Sequence, residues 1–541
     1  MKLLYFVALI VKAWALGVLR EIDVAIAGAG LAGAEIATLA KMDGRVPVIF
    51  ESRNSFGGRA HRVQVGDYYF PKGAGWQSGL GPLHPLTKRL RVCNISNTRV
   101  NWNRWVDYCQ NGQECEESWD DFETSFACAS ELAVQMSDLG LPPVSMDTGL
   151  KLCGWKAKTP AQFMYQTSTV NYEWAEDATA TSLGGSLPLL TYTLYGDGDK
   201  FITDPRSSQE LVGCWLDRFG VGRAPSYSVN YNSPIVNIDT DQRILTLANG
   251  SRYHYQVMFN TLPNGVLSWN QIHQNGSLFT PKLSSARVLA LAGYHTPVYL
   301  KIFLQFPTAF WNAFKPNTQY FNIWSNSLHS CTVWQNVDLP NFWPDSKILY
   351  LTCTSPQSDM GETLNDNQWK ELLMPQLRKV FGNAIPDPTL VKVARWLDDP
   401  NFRGTYSNAA VEFTLDKFNT FYQPLGNGTH VFAGEAYCYS LFGYMHSAIL
   451  SGETAWCEYQ VRNGVYPPSR ECRKTAIDAD GKHYPNFCWP EGIATSTETV
   501  RRSAPTFRRL ERIVHSNSSG AEFQRQTAHK FDRAMGIVNA A

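Results

Sequence analysis

The stretch from Val24 to Glu51 constrains this chain more than any other. It opens with the apolar run Val24-Ala25-Ile26-Ala27 and passes through Gly28-Ala29-Gly30-Leu31-Ala32-Gly33. It continues as an apolar segment to Lys41 and closes on Val46 to Phe50 and then Glu51. The pattern reads as a buried strand, a tight glycine turn, a helix over about Leu31–Lys41 and a second strand. In such a unit the first glycine permits the turn, the second lets a phosphate approach the backbone, and the third lets the helix pack on its strand. The helix start offers free amides and the positive end of its dipole to a pyrophosphate. An acid at the end of the second strand can hold both ribose hydroxyls, which favours a ribose without a 2′-phosphate. Gly28, Gly30, Gly33 and Glu51 are therefore expected to form a dinucleotide site.

The rest of the chain narrows the setting. Its 541 residues allow two or more domains, and 48 basic against 48 acidic residues give no support to nucleic-acid binding. Met1 to Ala15 has the positive start, apolar centre and Ala13-Trp14-Ala15 end of a secretory signal peptide. No later apolar run is long enough to span a bilayer, which takes about 20 residues. Glycosylation acceptors at Asn94, Asn249, Asn275, Asn427 and Asn517 agree with a secreted chain, as does the even count of 12 cysteines. Cys109 with Cys115, and Cys472 with Cys488, are candidate local bridges. No paired Cys-x-x-Cys spacing points to a metal. The acidic run from Glu114 to Glu123 reads as a solvated helix face.

Beyond Glu51, Arg53 is followed by Ser55-Phe56-Gly57-Gly58-Arg59-Ala60. A Gly-Gly-Arg placed after the ribose acid resembles the flavin amine oxidase family, which implies FAD as cofactor and adds Arg53, Gly58 and Arg59 to its site. Further motifs carry the same resemblance in the same order. The loop Tyr68 to Gly79, with Gly75 and Trp76, is implied to lie beside the flavin. Polyamine oxidases of the family often have an acid or His where this chain has Ser78. Tyr172-Glu173-Trp174 resembles a segment that brings a carboxylate, Glu173, to the substrate tunnel. The β run Pro234 to Ile238 implies an adenine contact from the backbone of Val236. Val298-Tyr299-Leu300-Lys301-Ile302-Phe303-Leu304-Gln305-Phe306 resembles the polyamine oxidase strand whose lysine holds a water against the reactive flavin nitrogen. Trp396 matches a flavin-stacking residue, and Tyr406 and Tyr444 match the two sides of an aromatic cage. Gly434-Glu435 matches the motif for ribityl and pyrophosphate. Covalent members carry a cysteine in the Gly404 to Asn408 region; none is present, so FAD is expected to be non-covalent, with Cys438 the one cysteine near that region.

The resemblance implies an α/β, two-domain FAD-dependent amine oxidase fold: a Rossmann-like GxGxxG domain and a mixed-sheet substrate domain flanked by helices. The expected division is a signal peptide at 1–15, a discontinuous FAD domain at 20–95, 225–295 and 391–460, a substrate domain at 96–224 and 296–390, and a partly disordered extension at 461–541. The implied activity is oxidation of amines, polyamine-like ones first, with molecular oxygen as acceptor and hydrogen peroxide as product, in a secreted protein. Lys301, Tyr406, Tyr444 and Glu173 are its expected catalytic residues. An L-amino-acid oxidase, another flavin oxidase and a non-catalytic secreted flavoprotein are the alternatives.

Overall fold

The computed structural model describes residues 19–464 and 488, apart from 83, 186–194 and 440. The expected signal peptide, Asn517, Cys472 and almost all of the 461–541 extension lie outside the described residues. The founding unit forms as β1 (Leu19–Ala27), α1 (Leu31–Met42) and β2 (Pro47–Phe50). β1 runs parallel to β2, with Ala25 opposite Val48, and parallel to the strand Arg252–Asn260, with Ala25 opposite Met258. These three strands lie inside an eight-stranded sheet that includes the hairpin Ile235–Asp239 and Ile244–Leu247 and the strand His430–Phe432. The Asn249-Gly250 turn after that hairpin strand has Gly250 at φ +84°, and Leu247 N donates to Ser251 O.

The end of β1 is buried on both faces, as expected of a parallel strand covered on two sides. Val24 and Ile26 join Ile49, Val257 and Phe259 beneath α1 and the long helix Met445–Arg462. Ala25 and Ala27 face a second core with Val48, Phe50, Met258 and Phe279. Alternation along the strand thus assigns each residue to one of two cores. Each fully buried Val, Ile or Phe contributes about 1.5–3 kcal/mol of transfer free energy.

A second sheet has six strands in the order Leu390–Ala394, Leu300–Gln305, Ile348–Cys353, Val333–Asn336, Tyr320–Ile323, Trp105–Tyr108. Leu300, Ile302 and Leu304 pack beneath the helix Asp366–Phe381 through Trp369, Leu373 and Leu377. Phe303 faces the other way, towards Phe70, Phe201 and Tyr350. The same alternation turns Lys301 to that second face. Between the sheets, Trp76–Ser78 pairs with Asp199–Ile202, which pairs with Asn97–Arg99. Helices Asp120–Asp138, Met146–Leu152 and Pro160–Gln166 form an aromatic core around Phe122, Trp155, Tyr165 and Trp174. Asp120, Asp121 and Glu123 occupy the first turn of their helix, where its dipole favours acids.

Two elements join the expected segments. The helix Gln209–Arg218, inside 96–224, packs Leu211, Val212, Trp215 and Leu216 into the core under α1. The disulfide Cys93–Cys214 crosses the same seam. The strand Leu390–Ala394 reaches into 391–460 yet edges the Lys301 sheet. The chain also forms disulfides Cys109–Cys115, Cys128–Cys153, Cys331–Cys353 and Cys438–Cys488. The first of these is the expected local bridge. The expected Cys472–Cys488 bridge is replaced: Cys488 is buried beside Tyr195, Leu441 and Leu450 and joins Cys438, so distance in sequence did not predict the partner.

Candidate functional site

One large cavity runs from the glycine turn to the face of the second sheet that carries Lys301. Its nucleotide end is built by the β1–α1–β2 unit. Gly28 has φ +100°, and a side chain on Gly33 would place a Cβ 2.1 Å from the Gly28 carbonyl oxygen. Gly33 therefore backs the turn, while Gly28 and Gly30 line the cavity. No side chain caps α1, so its first amides are left for an anion. The Glu51 carboxylate is 5 % exposed; it accepts from the amides of Ala29 at 2.8 Å and Arg53 at 2.9 Å. Burial holds its carboxyl above the usual range, opposed by those two hydrogen bonds. The Arg53 guanidinium lies over Phe402, a cavity residue, and its Nη1 is buried without a protein partner. The wall beyond is formed by Ser233 and Ile235; the Val236 side chain is 47 % exposed.

The middle of the cavity is organised by Glu435. Its Oε1 accepts from Arg59 Nη1 at 2.7 Å and Ser407 Oγ at 2.9 Å, and its Oε2 from the Gly443 amide at 2.7 Å. Arg59 also donates to Thr405 O at 3.1 Å. One buried carboxylate thus ties together segments 59, 405–407 and 443 and is itself satisfied, as burial of a charge requires. Gly58, Gly75, Trp76, Gly434 and Trp396 line the same space. Trp396 is buried with its amide on Glu362 Oε1 at 2.7 Å, while the Lys72 ammonium sits 4.1 Å from its ring centre.

The far end brings together residues from widely separated stretches. Lys301 is 2 % exposed; its ammonium donates to Gly73 O at 2.7 Å and Pro71 O at 3.1 Å. Burial lowers its pKa to about 7. Glu173 follows a π-helical turn, Thr167–Asn171, a feature common at functional sites. Its carbonyl accepts from Tyr406 OH at 2.8 Å, and its Oε1 accepts from Tyr444 OH. Burial raises the Glu173 carboxyl; the Tyr444 bond opposes that, and the charge of Asp199 adds to it. Asp199 lines the cavity and accepts from Trp102 Nε1 at 2.9 Å. The structure therefore gathers Lys301, Tyr406, Tyr444 and Glu173 in one cavity. It adds Asp199, Trp102, Tyr172, Tyr299, Phe402 and Phe442, which sequence reasoning did not nominate. Tyr299 was within reach: it lies two residues before Lys301 and so shares its face. Asp199 was not, because Gly-Asp-Gly-Asp-Lys reads as a turn.

The family model for flavin-containing amine oxidoreductases matches residues 164–458, and a model for an NAD(P)-binding Rossmann-like domain matches residues 26–90. The chain belongs to the flavin-containing amine oxidoreductases. Among the relatives of this amine oxidoreductase, Polyamine oxidase 1 of Zea mays is 27% identical over 451 residues, covering 79% of this chain and 88% of that protein. Polyamine oxidase 7 of Oryza sativa subsp. japonica is 26% identical over 453 residues, covering 79% of this chain and 93% of that protein. Wild-type putrescine oxidase, solved bound to putrescine, matches with a TM-score of 0.67 at 15% identity, over 82% of this chain and all of that one, and shows a shared fold. The cofactor of the amine oxidoreductase is FAD. The residues present fit it: an uncapped helix start and a ribose-type acid at Glu51 line one cavity, and an unpartnered buried guanidinium nitrogen at Arg53 lies beside its lining residue Phe402.

Proposed function

We propose that this protein is a secreted oxidase of di- and polyamines that passes electrons to dioxygen and releases an imine, hydrolysed to an aldehyde, and hydrogen peroxide. The observation that carries the substrate class is a pair of carboxylates, the half-buried Glu173 and the buried Asp199, on one aromatic-lined cavity. Ser78 stands where an acid or His is common, but Asp199 is its cross-strand partner, and both line the cavity. The acid is supplied from the neighbouring strand. The aromatic rings of Tyr406 and Tyr444 suit a substrate that arrives as a cation. The charge of Asp199 raises the cost of ionising Glu173, and a bound dication relieves it.

FAD, when bound, supplies a two-electron acceptor for the hydride of the amine α-carbon. Gly28, Gly30 and the start of α1 would hold its pyrophosphate, Glu51 its ribose, and Arg53 a phosphate oxygen. The substrate nitrogen is positioned by Tyr406 and Tyr444, whose hydroxyls are both held by Glu173. Lys301, with two donors spent on carbonyls, keeps a third for a water, and with a pKa of about 7 it exchanges protons near neutrality. No cysteine lines the cavity among the described residues, and Cys438 is held in a disulfide, which supports non-covalent FAD. An amino-acid oxidase reading finds no support in the cavity, whose one lining arginine, Arg59, is engaged by Glu435 and Thr405.

The secreted setting is supported by the disulfides and by exposed acceptors at Asn94, Asn249, Asn275 and Asn427. A panel of monoamines, diamines, polyamines and L-amino acids, read by peroxide release, tests the reaction. Turnover of L-amino acids alone, or of nothing, would overturn it. A mobility shift on endoglycosidase treatment of protein made in a eukaryotic host, with a mature N-terminus near Leu16, tests the secretion.

A further inference from the structure

Behind the aromatic cage lies a second carboxylate that does not line the cavity. Glu176 is three residues after Glu173. Its Oε1 is 2.8 Å from His295 Nδ1, and its Oε2 accepts from Asn408 Nδ2 at 2.8 Å. His295 and Asn408 face each other in the short antiparallel pair Tyr294–His295 and Asn408–Ala409. Asn408 is two residues after Tyr406 and also donates to Thr181 Oγ1 at 3.1 Å. The segments carrying Glu173 and Tyr406 are therefore cross-linked twice, like rungs of a ladder. One rung is Tyr406 OH on Glu173 O; the other is Asn408 on Glu176.

Between the rungs the backbone is held in an unfavourable shape. Ala175 has φ +61°, a left-handed conformation that costs a residue with a Cβ energy unless its surroundings enforce it. The enforcing contacts are Ala175 N on Asn171 O at 2.8 Å, Ser355 N on Ala175 O at 3.0 Å, and the Glu176 grip one residue later. Such a bend aims Glu173 inward while the chain turns away.

We propose that Glu176 is a positioning residue of the amine site: gripped by His295 and Asn408, it fixes Glu173 against Tyr406 and so sets the width of the cage. The inference rests on the amine-site reading above. Its strength depends on charge. Hydrogen bonding to Glu176 raises the His295 pKa above its ordinary value, against a smaller effect of burial. The charged rung is therefore complete at low pH and is lost as pH rises through that raised pKa, leaving a neutral imidazole on the carboxylate. The other acid near this cluster is Asp359, whose carboxyl is raised by burial and, in smaller part, by Glu176; Ser355 Oγ donates to it at 2.8 Å.

The test uses the full-length holoprotein with putrescine and spermidine as probes, in Glu176→Gln and His295→Gln. Charge-assisted hydrogen bonds are about twice as strong as neutral ones, so Glu176→Gln is expected to raise KM about fivefold with kcat within about twofold. FAD content and Tm stay as in wild type. For the partly exposed His295, solvent screening reduces the effect to about threefold for His295→Gln below pH 6.5, and the two KM curves converge at alkaline pH. Unchanged KM values and pH profiles would overturn the inference. So would a drop in Tm and FAD content with KM unmoved, the mark of a merely structural residue. If Glu176→Gln folds poorly, His295→Gln decides by its pH profile. A wild type that oxidises no amine overturns the site reading and this inference together; an active wild type with indistinguishable variants overturns the inference alone.

Discussion

The two ends of the cavity are built in opposite ways. The nucleotide end draws Gly28, Gly30, Gly33 and Glu51 from one unbroken βαβ unit, and each lies where local geometry demands that residue type. The amine end draws Ser78, Glu173, Asp199, Lys301, Tyr406 and Tyr444 from stretches scattered over most of the chain. The first can be built from strand, turn and helix alone. The second exists only after two sheets and a helical layer have packed, so its residues carry weak local signals. A contiguous site should fail by losing its ligand, and a dispersed one by losing rate or selectivity.

The largest expected effect tests the amine end. Lys301→Met should bind FAD but lose turnover by about 10²–10⁴-fold, the range for general acid–base assistance. In wild type a limb with an apparent pKa near 7 should be present, with Lys301 charged below and neutral above it, and the variant should lack it. The carbonyls of Pro71 and Gly73 lose their donor, so Tm should fall by an amount equivalent to about 1–3 kcal/mol. Stopped-flow traces would separate reduction by amine from reoxidation by dioxygen. Two unaltered half-reactions would make Lys301 an ordinary buried lysine and erase the contrast between the ends.

Next in size is Glu51→Ala. Loss of charge-assisted bonds to a ribose is worth about 1.5–3 kcal/mol, or about 10- to 150-fold in FAD affinity. The variant reconstituted at saturating FAD should regain the wild-type KM for amine. Normal FAD retention would mean that another group holds the ribose, and a lasting KM defect would mean that the two ends are not separable.

This contrast also explains what could be read in advance. The glycine turn, both strands and α1 followed from apolar runs and glycine spacing alone; α1 and β2 agree within a residue, while β1 begins at Leu19, five residues before the apolar run at Val24, because its first residues are exposed and mostly polar. Lys301 needed a family resemblance, because a lone lysine in a β strand ordinarily points to solvent. Its burial follows from the alternation that sends Leu300 and Ile302 beneath the Asp366–Phe381 helix. Cys438–Cys488 and Asp199 were out of reach, since each depends on which loop the fold lays beside which strand. The Val236 side chain points to solvent while its neighbour Ile235 lines the cavity, so any contact from Val236 is made by its backbone, as expected of a position read from a motif and not from its side chain.

The smallest expected effect is the most selective. Asp199→Asn keeps the shape of the side chain and an oxygen to accept from Trp102 Nε1, so the three-stranded sheet around Ser78 should persist. It removes one negative charge from a cavity that opens to solvent. An ion pair at about 4 Å is worth about 1 kcal/mol in water and about 4 kcal/mol at an effective dielectric of 20. A position between these limits predicts a KM for putrescine raised about tenfold. A monoamine of similar length has no distal cation to lose a partner, and its KM should stay within about twofold. The Glu173 carboxyl, relieved of a neighbouring charge, should titrate lower, extending activity slightly towards acid. Steady-state kinetics on the matched pair of amines is the measurement. An equal rise for both would place Asp199 at the reacting nitrogen instead of at the far end of the substrate. No rise for either would leave Glu173 as the acid that recognises the amine, and the preference for diamines would then need another source.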